Sequence, residues 1–232
     1  MIAAEAVVFD LDGTLIRSRI DFEAMRRRVV EVLVASGAPA GELDQSRRVW
    51  EIVMGGESKL KEMGLPSETR RLIMKRITEA LNAVELEAVD SVEPNTHALE
   101  ALEALRGRGL RIGVATRSCN AYATLSLELT DLAGYVDVLL ARDDVEHPKP
   151  DARHLLQVVE ALDASPGSVV FVGDTTTDLK TAEEAGITFI GFLRDNDWGR
   201  RLKEAGCGLI IDDLRKIADL VERRPSPAGA SG

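Results

Sequence analysis

With 232 residues, 45% of them hydrophobic, a net charge of −10 and a pI near 4.9, the chain can bury a sizeable core, and its acidity argues against nucleic acid as the main partner, since that binding draws on clustered Lys and Arg. Cys119 and Cys207 stand far apart with no CxxC and no His-rich spacing, which supports neither a disulfide framework nor a zinc site. No run approaches the roughly 18 apolar residues of a membrane span, and no basic segment with a signal-length apolar stretch opens the chain, so a cytoplasmic protein away from membranes is expected.

The first predicted element is a strand over Glu5 to Phe9, closed by Asp10-Leu11-Asp12-Gly13-Thr14-Leu15. In an extended chain Asp10 and Asp12 face the same side, so both can reach one substrate from one edge. Gly13 admits a sharp turn or a positive φ, and the Thr14 hydroxyl can bond nearby backbone or a carboxylate. Taken alone, the stretch reads equally well as an Asx-rich turn after a buried strand.

From about Ser18 to Val92 the apolar spacing turns helical: Met25, Val29 and Leu33 recur at four, as do Ile73 and Ile77, followed by Ala80, Leu81 and Val84. Gly37, Pro39, Gly55-Gly56, Gly64 and Pro66 are expected to divide it into several helices, with Ser67 as an N-cap. Gly55 to Lys59 is either a loop facing the site or a helix connector. Trp50 is expected to share a packing face with Leu43, Val53 and Met54, and Arg26-Arg27-Arg28 to form a solvated helix face. The junctions around Arg17 to Asp21 and Asp90 to Asn95 are candidate hinges.

Beyond the insert, continuous Val, Ile and Leu runs predict strands over Leu110 to Ala115, Val136 to Leu140, Val169 to Val172, Ile187 to Phe192 and Leu209 to Ile211. Helical patterns over Ala98 to Leu105, Arg153 to Leu162 and Leu179 to Ala185 lie between them. The alternation predicts an α/β fold: a doubly wound, Rossmann-like parallel sheet with an inserted α-helical cap domain. The expected boundaries are 1–17 and 93–222 for the core, 18–92 for the cap and 223–232 for a Pro-, Ser-, Gly- and Ala-rich tail outside the core. Such sheets bind ligands at the carboxyl ends of their strands, which is where Asp10, Thr116 and Asp174 fall.

Val172-Gly173-Asp174-Thr175-Thr176-Thr177-Asp178 repeats the pattern of the first motif, with Asp174 and Asp178 close enough to meet in the first helical turn. Helix capping by Asp174 or Thr177 is the competing reading. Converging carboxylates need a cation, and oxygen ligands suit magnesium. Lys149, in His147-Pro148-Lys149-Pro150-Asp151, is held by flanking prolines, and the Thr116 hydroxyl can donate to a phosphate oxygen. His97, His147 and His154 are scattered and read as surface or helix residues rather than ligands. Trp198 falls in a polar loop after a strand, with no role assigned.

In this order the four segments resemble the haloacid dehalogenase superfamily, from about Ala6 to Ile217. The resemblance implies Asp10 as nucleophile, Asp12 as general acid and base, and Thr116 and Lys149 holding the phosphoryl group. It further implies Mg2+ held by Asp10, the Asp12 carbonyl, Asp174 and Asp178, and a small α-helical cap as in phosphoglycolate phosphatases and β-phosphoglucomutases. An aspartate at Asp12 favours phosphate esters over the family's dehalogenase chemistry. Arg117 stands where many relatives have Asn and joins the expected phosphate-binding set, Ala152 replaces a frequent proline, and Asn95 stands where Gly is frequent. The expected activity is a Mg2+-dependent phosphatase acting on a small phosphorylated metabolite. A phosphosugar mutase, or a non-catalytic binding protein on the same scaffold, is the alternative. The substrate and the oligomeric state are not legible in the sequence.

Overall fold

A computed structural model describes residues 1–193 and 196–224, apart from the side chains of Asn196 and Trp198. In chain order come β1 (Ile2–Ala4), β2 (Ala6–Phe9), β3 (Ile16–Arg17), α1 (Phe22–Ala35), α2 (Val49–Glu62), α3 (Ser67–Glu87) and β4 (Glu93–Pro94). Next are α4 (Ala98–Gly107), β5 (Arg111–Ala115), α5 (Asn120–Leu129), β6 (Val138–Leu140), α6 (Ala152–Ala161), β7 (Val169–Gly173) and α7 (Thr176–Ala185). The chain closes with β8 (Thr188–Phe192), α8 (Asn196–Glu204), β9 (Ile210–Ile211), α9 (Lys216–Leu220) and β10 (Val221–Arg223). It divides into two compact units, Met1–Ser18 with Ser91–Gly232, and Arg19–Asp90.

The first unit carries a parallel sheet in the order β6-β5-β2-β7-β8-β9. From β2 the chain builds β5 and β6 outward on one side, then returns to add β7, β8 and β9 on the other, so the winding reverses beside β2. Both faces of the central strands are covered. Val8 and Phe171 join Leu155, Val158, Val159 and Ala182 of α6 and α7 in one core cluster, while Val7, Phe9, Val170 and Val172, pointing the opposite way, are equally buried. This is why these strands read as unbroken apolar runs, and the doubly wound α/β expectation holds.

Three features of this unit differ from the sequence reading. Val221–Arg223 form β10, paired in parallel with β1, so strand pairing runs past the boundary drawn at 222 by composition; residues 225–232 lie outside the described residues. Residues 196–199 open α8 rather than a polar loop, with Asp197 in its first turn and Arg201 and Lys203 in its last, a charge order that suits the helix dipole. The Trp198 side chain lies outside the described residues. Helix α5 was not anticipated, because its apolar residues form no sharp stripe.

In the second unit, α1 is N-capped by Asp21, whose side chain accepts from the Ala24 amide at 2.8 Å. Met25, Val29 and Leu33 of α1 and Ile73, Ile77, Leu81 and Val84 of α3 are buried as the periodicity requires. Other expectations change. Ser67 is the first residue of α3 and makes no side-chain cap bond; the cap position belongs to Pro66, whose extended backbone feeds the helix. Gly55 and Gly56 lie inside α2, as neither loop nor connector. A Cβ at Gly56 would sit 2.4 Å from Cδ1 of the buried Leu33, so close packing on α1 explains a glycine there. The buried stripe of α2 is Ile52, Gly56 and Leu60; Leu43 precedes the helix, and Met54, one turn after Trp50 on the same face, is exposed, so the expected packing face is not a buried one. Arg28 is more than a solvated charge, since it donates to both carboxylate oxygens of Glu87 at 2.9 and 3.0 Å. Among the described residues no helix is long and apolar enough to cross a membrane.

Candidate active site

The carboxyl ends of β2, β5 and β7 are neighbours in the sheet, and each delivers a polar residue at the point where its apolar run stops. Asp10 follows β2, its amide still in the ladder with Val172 O at 2.8 Å; Thr116 follows β5, its amide bonded to Leu140 O at 3.1 Å. Gly13 takes φ 92°, the positive value the turn was expected to need. The Thr14 hydroxyl does not brace this turn: it is buried and makes no hydrogen bond. Asn95 does so instead, its side-chain amide donating to Gly13 O at 3.3 Å and Thr14 O at 3.0 Å. Two carbonyls of the turn thus find their donor in Asn95.

Asp174 and Asp178 enter from β7 and α7. Thr175 is the N-cap of α7: its hydroxyl accepts from the Asp178 amide, while the Asp178 carboxylate takes the Thr175 amide at 3.1 Å and hydroxyl at 2.5 Å. Neither Asp174 nor Thr177 caps the helix. Gly173 is required by this arrangement, since a Cβ there would lie 2.6 Å from Asp178 Cβ. Asp10, Asp174 and Asp178 are all buried, and one oxygen of each lies within 4.8 Å of the others.

Lys149 completes the cluster. Its ammonium donates to Asp10 Oδ1 and to Asp178 Oδ1, both at 2.7 Å, and sits 5.2 Å from the centroid of the Phe171 ring. The residue is 2% exposed, so a full positive charge is held in the interior by two carboxylates. Burial pushes the Asp10 carboxyl up, with Asp178 and Asp12 adding to the rise against the pull of Lys149; the two carboxylates push the Lys149 ammonium up despite its burial.

Asp12 is placed differently. Its carboxylate accepts from Ser18 Oγ at 3.1 Å, Ser118 Oγ at 2.7 Å and the Tyr122 hydroxyl at 2.9 Å. Burial and the Asp12 charge push the Tyr122 phenol well above its usual range, so it stays protonated. The Thr116 hydroxyl oxygen accepts from the Ser118 amide at 3.1 Å, which leaves its hydrogen for an acceptor. Arg117 is half-buried beside it, its carbonyl taking Arg142 Nη1 at 2.6 Å and its charge acting on His154.

Sequence reasoning missed Ser18, Ser118, Tyr122 and His154. The two serines and the tyrosine carry no motif of their own; a polar residue four positions from another at a helix start, as Ser118 is from Tyr122, was the one signal. His154 is a helix residue as expected, but it is fully buried. Its ring accepts from the Lys149 amide at 3.2 Å and faces Leu140 O at 3.0 Å, the carbonyl that also anchors Thr116.

Residues 7–192 match the family model for haloacid dehalogenase-like hydrolases. The chain belongs to that family. Among its relatives is the phosphoglycolate phosphatase of Escherichia coli (strain K12), 28% identical over 229 residues, which cover 91% of this chain and 90% of that protein. A candidate beta-phosphoglucomutase from Thermotoga maritima superposes with a TM-score of 0.58 at 27% identity, over 93% of this chain and 97% of that one. A candidate haloacid dehalogenase-like hydrolase from Bacteroides fragilis gives a TM-score of 0.67 at 22% identity, over 92% and 99% of the two chains. This last likeness is one of fold.

Proposed function

We propose that this hydrolase is a Mg2+-dependent phosphatase that cleaves a small phosphomonoester of the phosphoglycolate kind through an aspartyl phosphate on Asp10. The observation that carries the reading is the buried Lys149 ammonium bridging Asp10 and Asp178 beside Asp174. The donor set fits magnesium: it is all oxygen, and three carboxylates against one ammonium leave two negative charges when ionised. Asp10, Asp174 and Asp178, with the Asp12 carbonyl, would hold the ion. When bound, it supplies positive charge that offsets repulsion between an anionic nucleophile and an anionic ester.

The remaining work falls to side chains. An Asp10 carboxylate oxygen attacks phosphorus while the ester P–O bond breaks, so one difficult displacement becomes two easier ones. Lys149 and the Thr116 hydroxyl hold the phosphoryl oxygens, with Arg117 adding charge nearby. Asp12 gives its proton to the departing alkoxide, then takes one from the water that attacks the phosphoryl group, releasing inorganic phosphate and restoring Asp10. Asp10 must be ionised to attack, so the downward pull of Lys149 on its pKa serves the reaction.

Phosphate release from 2-phosphoglycolate and a panel of metabolite esters with Mg2+ tests this. Asp10→Asn is expected to lower the rate by roughly 10³-fold or more with an unchanged circular dichroism spectrum; unaltered turnover removes Asp10 as nucleophile. The likeness to the Thermotoga maritima protein supports a second reading, a phosphosugar mutase, which net isomerisation with little phosphate release would favour.

A further inference from the structure

Tyr122 is fully buried on α5, and its hydroxyl hydrogen goes to Asp12 Oδ1 at 2.9 Å. A buried ring at this place could as well be Phe; a buried hydroxyl costs free energy unless it is bonded, and here the bond ends on a residue of the reacting site. The other contacts reach Asp12 from different segments. Ser118, just ahead of α5, takes Oδ2, and Ser18, after β3, shares Oδ1. Both oxygens of a short side chain on a turn are therefore fixed.

The chemistry of the donors matters as much as their number. An ammonium or amide N–H can only donate and would trap the ionised carboxylate. A hydroxyl turns from donor to acceptor, so it serves the carboxyl in either protonation state. A group that must give a proton and later take one needs that kind of neighbour.

We propose that Tyr122 is a positioning residue for Asp12, holding its carboxyl in one orientation through both proton transfers, to the leaving alkoxide and from the attacking water. The inference rests on Asp12 being the leaving-group acid. Tyr122→Phe deletes only the hydroxyl, and an unchanged thermal midpoint shows that the ring still packs; Ser118→Ala removes the contact on the other oxygen and is expected to act in the same direction. With Mg2+, kcat/KM is measured on an alkyl ester, 2-phosphoglycolate, and on 4-nitrophenyl phosphate, whose phenolate leaves without a proton. Tyr122→Phe is expected to lower the alkyl value about 10-fold or more, within the span of acid–base catalysis, and the aryl value less than about 3-fold, with KM nearly constant. Equal losses on the two esters, or none, overturn the inference. Asp12→Asn serves as reference. If it discriminates between the esters and Tyr122→Phe does not, Asp12 acts without this support; if Asp12→Asn itself fails to discriminate, the acid assignment falls and the inference with it.

Discussion

His154 shows what burial does to a group that carries no motif. Its position on α6 puts the ring between the Lys149 amide and Leu140 O, so Nδ1 accepts, Nε2–H donates, and the neutral tautomer satisfies both. Burial first, then the Lys149 charge, pushes its pKa down to about 4 from 6.5. Between those values the unfolded chain binds a proton that the folded chain refuses. The contribution is therefore complete above pH 6.5 and is lost as pH falls toward 4, by at most about 3 kcal/mol. The thermal midpoint is expected to drop across that window, and His154→Gln to flatten the drop. Parallel curves for the two proteins would assign the acid sensitivity elsewhere. Asp10, Asp12 and Lys149 were legible because each sits in a short pattern with a mechanical meaning. Tyr122 was not, because its partner lies 110 positions away and nothing in α5 announces it.

Helix α2 reverses a rule that holds in isolated helices. Glycine inside a helix costs about 1 kcal/mol relative to alanine, so Gly55-Gly56 read as a break. At Gly55 a Cβ meets nothing within 4 Å, and Gly55→Ala is expected to stabilise by about 0.5–1 kcal/mol. At Gly56 the Cβ would strike Leu33, which is fully buried, and Gly56→Ala is expected to destabilise by about 1–3 kcal/mol. Urea unfolding of the two variants checks this, and equal shifts would show that the α1–α2 approach is not what selects Gly56. Helix α7 makes the complementary point. Its capping box orients Asp178 with ordinary helix-start chemistry, and the same carboxylate receives Lys149. The capping motif was recognisable in sequence, but the member that caps, Thr175, depended on the observed backbone.

At the scale of the whole molecule, a divalent ion held by the buried acidic trio would link binding to stability. Folding brings Asp10, Asp174 and Asp178 together, so a cation bound there favours the folded state by about 2.7 kcal/mol at a hundredfold excess over its Kd. Mg2+ is expected to raise the thermal midpoint, EDTA to reverse the gain, and Asp174→Asn to abolish most of it. A midpoint indifferent to Mg2+ in the unaltered protein would count against the trio as the ion's site.

The sequence by itself determined the central elements and their chemistry: apolar runs long enough to be covered on both faces, carboxylates where those runs stop, and a helical stretch between Ser18 and Val92. Those features follow from the geometry of a few consecutive residues, so they can be read in order along the chain. The tertiary structure alone decided which ends meet. The order β6-β5-β2-β7-β8-β9 makes neighbours of strands separated by most of the chain, and only that pairing sets Lys149 between Asp10 and Asp178 and brings the Ser118 and Tyr122 hydroxyls to Asp12. Convergence of this kind is a property of strand order and crossover, and no local spacing encodes it.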